Sequence, residues 1–246
     1  MNLEPFMFDV EEREVTLTSN GGHPIEGYKA IVAPQKDDQV ISVVKDSYKL
    51  VSNRELIEPF LEQLERLEVP WKLDTSHSFA ALNRMRLQIT FPDIYLMDSE
   101  SRIPLSLYLH NSYDMSEGIR LFWGAIRNVC TNGLVIGELL GKFYARHTSG
   151  FDFEEVHLQF HNALEKTTEL QQKINELDSV PPTQQLMDDL QSRLGKKRFQ
   201  QITDPDKAYE QSQWKLLNDI THYISHEVEK PRRADMQMSV SKAFEL

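Results

Sequence analysis

Three segments of this chain alternate apolar and polar residues with a strict period of two, and that pattern constrains the fold more than any other feature. In Arg84 to Phe91, Met85, Leu87, Ile89 and Phe91 fall on one face, opposite Arg84, Arg86, Gln88 and Thr90. In Ile103 to Leu109 the apolar set is Ile103, Leu105, Leu107 and Leu109, opposite Ser106, Tyr108 and His110. In Gly118 to Ala125 it is Ile119, Leu121 and Trp123, opposite Arg120 and Phe122. Successive side chains of a strand point to opposite faces, so each segment reads as a half-buried β-strand.

Shorter strands are predicted before them, at Glu14 to Ser19, Gly27 to Ala33 and Gln39 to Val44. They are punctuated by Asn20-Gly21-Gly22-His23 and by Lys36-Asp37-Asp38, which is the pattern of an antiparallel meander. A helix over 53–67 follows, capped by Ser52 or Asn53. Leu56, Ile57, Phe60, Leu61, Leu64 and Leu67 recur along it at helical spacing, and Val69-Pro70 ends it.

Past Gly150 the period changes to that of helices. A long helix is expected over Asp152 to Asp178, a short one from Thr183 to Leu194 ending at Gly195, and another from Asp204 to about Glu229, closed by Pro231. The basic run Lys196-Lys197-Arg198 then reads as a solvated C-terminal cap, where the helix dipole favours cations. The polar tail, Arg232 to Leu246, is assigned one more docking helix. The expected architecture is α+β: a mainly antiparallel sheet in residues 13–125, helices at 53–67 and through the C-terminal third, and one domain over 1–246 in which 151–246 packs on a β-rich 1–150.

Composition narrows the setting. The 246 residues are 40% hydrophobic and 26% charged, ordinary for a globular chain, and the one cysteine, Cys130, has no internal disulfide partner. Met1 to Val15 lacks a basic segment followed by an apolar run, and no stretch approaches the ~18 consecutive apolar residues of a membrane helix, so a cytosolic setting is expected. A net charge of −11 repels phosphate at long range, so nucleic-acid binding would need a local basic face, while the acidic surface could itself meet a basic protein.

Three groups of residues carry a family resemblance. The first is Gly27-Tyr28-Lys29-Ala30-Ile31-Val32 with Tyr48-Lys49-Leu50-Val51-Ser52-Asn53. The second is Arg120, then Ile126-Arg127-Asn128-Val129-Cys130-Thr131-Asn132, with Arg146-His147-Thr148. The third runs from Trp214 through Asn218 and His222 to His226. In order and spacing the chain resembles the phage- and plasmid-type proteins of domain of unknown function family 932 over nearly its whole length. Arg127, Cys130 and Asn132 match the family's central motif, and His147, Trp214, Asn218 and His226 match its flanks. The chain departs at Asn128, where the family usually has Val, and at His222, where it more often has an acid. The resemblance implies a gene of mobile elements and brings no established reaction or ligand.

Four candidate sites follow. Arg127, Cys130 and Asn132, with His147 as a partner, suit an activated thiolate, although a buried free cysteine is more commonly a small hydrophobe. The pairs His157/His161 and His222/His226 stand at i, i+4 on predicted helices, with Glu154 or Glu227 as a third ligand, but the His-Glu-x-x-His pattern is missing, and no metal is assigned. Arg84, Arg86, Tyr108, His110, Arg120 and Phe122 share the non-apolar sheet face. Left free, that face supplies cations for phosphates and rings for bases, as a single-strand platform requires, and Lys196-Lys197-Arg198 would extend it. The apolar stripe of the long helix could pair with another chain, although core packing is its more usual use.

Gly-x-x-x-x-Gly-Lys-Ser/Thr, Gly-x-Gly-x-x-Gly and Gly-x-Ser-x-Gly are all missing, which disfavours common nucleotide hydrolysis and serine hydrolase chemistry. The preferred expectation is therefore a non-enzymatic, cofactor-free mobile-element protein that binds single-stranded nucleic acid. The alternatives are a protein-binding inhibitor of a host defence or DNA-processing enzyme, and an enzyme centred on Arg127, Cys130 and Asn132.

Overall fold

The structure is a computed structural model that describes residues 3–19, 22–99, 101–127, 132–135, 142–145, 147, 162–203 and 211–246. Strands β1 (Glu11–Leu17), β2 (His23–Ala33) and β3 (Gln39–Lys45) form an antiparallel three-stranded sheet in that order. Helix α1 (Asn53–Arg66) follows. Its start is fixed by a capping box in which Ser52 Oγ accepts from the Glu55 backbone and the Glu55 carboxylate accepts from the Ser52 backbone.

The second sheet is built around β6 (Arg84–Met97), β7 (Arg102–Ser112) and β8 (Ile119–Arg127), all antiparallel. Short strands extend both edges: β4 (Lys72–Leu73) and β5 (Phe79–Ala80) pair with β6, while β9 (Asn132–Val135) and β10 (Lys142–Ala145) pair with β8. The register aligns the alternating residues into rows across the sheet. Leu87, Leu109 and Leu121 form one apolar row, and Ile89, Leu107 and Trp123 the next. This face carries the main core, joined by Leu56, Ile57, Phe60 and Leu64 of α1.

Among the described residues five further helices follow: α2 (Thr167–Ser179), α3 (Gln184–Leu194), α4 (Lys196–Ile202), α5 (Gln213–Glu227) and α6 (Lys230–Ala243). The α+β assignment holds. Leu170, Ile174 and Leu177 of α2, Trp214, Leu217, Ile220 and Ile224 of α5, and Leu190 and Leu194 of α3 enter the same core as the apolar sheet face. The described part of the long-helix stripe is therefore buried within its own chain and not left to pair with another; residues 151–161 lie outside the described set. Among the described residues no helix is long and apolar enough to cross a membrane.

Two local expectations are corrected. Pro231 does not merely close a helix; it sits in the first turn of α6, where its fixed φ and missing N–H cost nothing. Lys196, Lys197 and Arg198 follow Gly195, which both ends α3 and begins α4, so they open a helix as well as trail one. The dipole of α3 favours them there and that of α4 opposes them.

Candidate ligand cleft and the polar sheet face

The polar residues of the three strands fall into rows of their own. Arg86, His110 and Arg120 are in register, and Tyr144 of β10 continues that row beside Arg120. Gln88, Tyr108 and Phe122 form the next row. All six sequence-predicted residues thus share one face, but the expectation that the face is free is corrected. Arg86, Tyr108, His110 and Phe122 are buried, and Arg84 and Arg120 are half-buried.

The cover is α6. Its Ala234 and Met238 pack on the Tyr108 and Phe122 rings, which lie parallel at 5.1 Å between centroids. From the same helix Asp235 accepts from Arg86 at 2.9 Å and from Arg120 at 2.8 Å, one carboxylate oxygen to each guanidinium. The far end of α6 leaves this face and places Val240, with Phe244 and Leu246 beyond it, in the main core.

Beneath Asp235 lies a second acid. Glu117 receives Arg86 on both oxygens at 3.2 Å and has Arg120 at 3.9 Å and His110 Nδ1 at 3.7 Å. Burial alone would raise its carboxyl, but the surrounding donors and cations outweigh burial and hold it at about 2. Burial dominates at His110 and pushes the imidazole down to about 4, so it is neutral at physiological pH despite the neighbouring carboxylates.

At the margin of this face, next to the Arg120–Asp235 pair, a cleft of about 260 Å³ opens between Tyr48, Glu117, Gly118, Arg120, Tyr144 and His147. Gly118 makes it possible: a Cβ there would stand 2.5 Å from the Ala145 carbonyl and 2.8 Å from the Tyr144 ring. The Tyr48 and His147 rings stack at 4.7 Å, and the two segments clasp through a backbone bond from Lys49 to the His147 carbonyl at 2.6 Å. Tyr48 donates its hydroxyl to the Ser112 carbonyl. His147 Nδ1 lies 3.2 Å from the Lys49 carbonyl, which can only accept, so Nδ1 carries the proton and Nε2 is left as an acceptor. Burial lowers the His147 pKa, and Nε2 has no hydrogen-bond partner among the described residues. Tyr144 and Met115 are each 55% exposed at the rim.

The cleft joins residues from the first and second sequence groups, Tyr48 with Arg120 and His147, and reaches no further. Arg127 and Asn132 are paired at the other end of β8, eight residues along from the Ile119–Ala145 pair. At roughly 3.3 Å per residue that is about 25 Å away, so His147 does not stand beside them. Cys130 lies outside the described residues. Trp214 is buried in the main core and donates its indole N–H to Asp98 at 2.9 Å. Asn218 is half-buried on α5, whose His222 and His226 rings lie 4.4 Å apart. His157, His161 and Glu154 lie outside the described residues, and among those described no three His, Cys, Asp or Glu side chains gather as metal ligands. Lys196, Lys197 and Arg198 are exposed and rim a separate cleft with Gln201 and Tyr223.

The family model described as Domain of unknown function (DUF932) matches residues 40–244, a span that takes in the cleft, the polar rows and α6. The chain belongs to the DUF932 family. Strands β1 and β2 precede the DUF932 span, while Tyr48, Glu117, Arg120, Tyr144, His147 and Asp235 all fall within it. No curated protein and no solved structure matches the chain.

Of the cleft residues, Tyr144, Glu117 and Tyr48 were not singled out as site residues from the sequence. The signal for Glu117 was slight: an acid beside a glycine at a strand start. Tyr144 carried none, because β10 is too short for periodicity to register.

Proposed function

We propose that this chain is a non-enzymatic accessory protein of a mobile element, and that it binds single-stranded nucleic acid at the margin of the polar sheet face. The observation that carries this reading is the register pair Arg120 and Tyr144: a half-exposed guanidinium beside a largely exposed ring, at the mouth of a cleft. A ring of that exposure stacks on any base, and a guanidinium binds the adjoining phosphate. His147 and Glu117 line the cleft beside this pair, and neither needs its ionisation to change for binding. The buried neutral histidine and low-pKa carboxylate are suited to holding a ligand.

Fluorescence anisotropy with a labelled oligothymidylate tests the reading. Binding that weakens steeply with salt is expected, and Tyr144→Ala should weaken it by about tenfold, the effect of roughly 1–3 kcal/mol of lost stacking. Tyr144→Phe should retain it. Binding by neither the unaltered chain nor an Asp235→Asn variant, or binding equally well to Tyr144→Ala, removes the proposal.

A protein partner is the second reading, and a different observation favours it. The three-stranded sheet exposes the apolar side chains Leu17, Tyr28, Val40 and Val43, of the kind that contacts between proteins cover. Val43→Lys should then abolish co-elution with a host DNA-processing enzyme and leave oligonucleotide binding intact. Co-elution that survives this substitution rules the surface out.

A further inference from the structure

A helix docked for stability alone buries an apolar stripe. Helix α5 does so, with Trp214, Leu216, Leu217, Ile220 and Ile224 inside. Helix α6 buries a thinner one: its buried residues are Ala234, Gln237, Val240 and Ser241, with Met238 on the rings and only its far end, with Phe244 and Leu246 beyond it, reaching the main core. The surface beneath it is poorly matched as well. Arg86 Nε and Nη1, the Gln88 side-chain amide, the Tyr108 hydroxyl and His110 Nε2 are all buried without a hydrogen-bond partner among the described residues, as is Ser241 Oγ at the far end of α6. Native interfaces rarely leave so many polar atoms unmatched at one place.

The one strong contact that α6 makes with this face is ionic. Asp235 presents one oxygen to Arg86 and the other to Arg120 while half-exposed. The two non-bridging oxygens of a phosphodiester carry the same charge and the same fork of acceptors. Beside it, Ala234 and Met238 lie over the stacked Tyr108 and Phe122, the rings that a base would otherwise cover.

We infer that α6 is a displaceable cover over a phosphate- and base-binding face, with Asp235 standing where a backbone phosphate of a single strand binds. This rests on the proposed strand binding at the cleft and extends it inward. A strand held by Tyr144 and Arg120 competes with Asp235 for Arg120, then for Arg86, and the freed Gln88, Tyr108 and His110 atoms gain partners as the helix lifts. No bond is made or broken.

The full-length chain tests this by hydrogen exchange and anisotropy, with the labelled oligothymidylate as probe. On adding the strand, amides of α6 should exchange faster while those of β6 to β8 do not. Asp235→Ala and the isosteric Asp235→Asn should each bind the strand about tenfold more tightly, because the competent state is more populated. Ser241→Ala, which removes an unmatched hydroxyl and seats the cover better, should bind several-fold more weakly. Strand binding by Asp235→Asn alone, with none by the unaltered chain, also supports the cover. If the unaltered chain binds but α6 exchange is unchanged and both Asp235 variants bind no better, the cover is permanent and the inference falls alone. If neither the unaltered chain nor Asp235→Asn binds, strand binding falls and the cover falls with it.

Discussion

Asp235 and Arg86, 149 positions apart in the chain, meet at 2.9 Å above the centre of the sheet, and Glu117 meets the same guanidinium from below at 3.2 Å. Arg86 is thus held between two carboxylates, one wet and one dry. The dry one matters more to the fold, since solvent screens Asp235 and not Glu117.

Glu117→Ala should therefore destabilise the chain by about 3–5 kcal/mol, because it leaves Arg86 buried with only a half-exposed partner. Urea denaturation at neutral pH measures this. A loss below about 1 kcal/mol would mean that the pair contributes little net stability.

His110 makes stability depend on pH. Its folded pKa lies near 4, below the ordinary value of 6.5, so between those values the unfolded chain binds a proton that the folded chain refuses. Stability therefore falls as pH drops from about 6.5 towards 4, by a few kcal/mol in all. Glu117, held near 2, adds a further loss only below its unfolded value, as pH falls from about 4 towards 2. His110→Leu should flatten the slope between pH 7 and 5 and, because His110 helps to hold the Glu117 carboxyl low, shrink the lower one as well. Denaturation midpoints at several pH values check both, and an unchanged slope would show that His110 is not the source.

Gly118 is required by contact, not by backbone angle. Gly118→Ala drives a methyl group against the Ala145 carbonyl, a backbone atom that cannot step aside without disturbing the β8–β10 pairing. A cost of about 1–3 kcal/mol is expected, with weakened ligand binding at the cleft. A thermal melt of the variant within about 1 °C of the unaltered chain would contradict the assigned approach; even 1 kcal/mol moves a chain of this size by about 2–4 °C.

The strands and α1 were legible because each residue there reports on its own position. Leu87, Leu109 and Leu121 alternate with polar neighbours, and Ser52 with Glu55 forms a cap within four residues. The burial of Arg86 and His110 was not legible. A period of two separates the two faces of a strand by relative polarity and says nothing of what lands on the polar one. What landed was α6, whose buried Gln237 and Ser241 break the stripe that would have announced it. The cleft was hidden for another reason. Lys49 and His147 are 98 residues apart, and neither local segment encodes the other's approach.

The row Arg86, His110, Arg120, Tyr144 crosses the sheet from dry interior to open solvent in three strand spacings, about 14 Å. Water damps a charge at the Tyr144 end and is missing at the Arg86 end, so one kind of side chain acts with different force along its length. An anion that displaced Asp235 would meet Arg120 while still hydrated and Arg86 only after giving up water, with Glu117 fixed beneath both, so the sheet itself would set the order of contact.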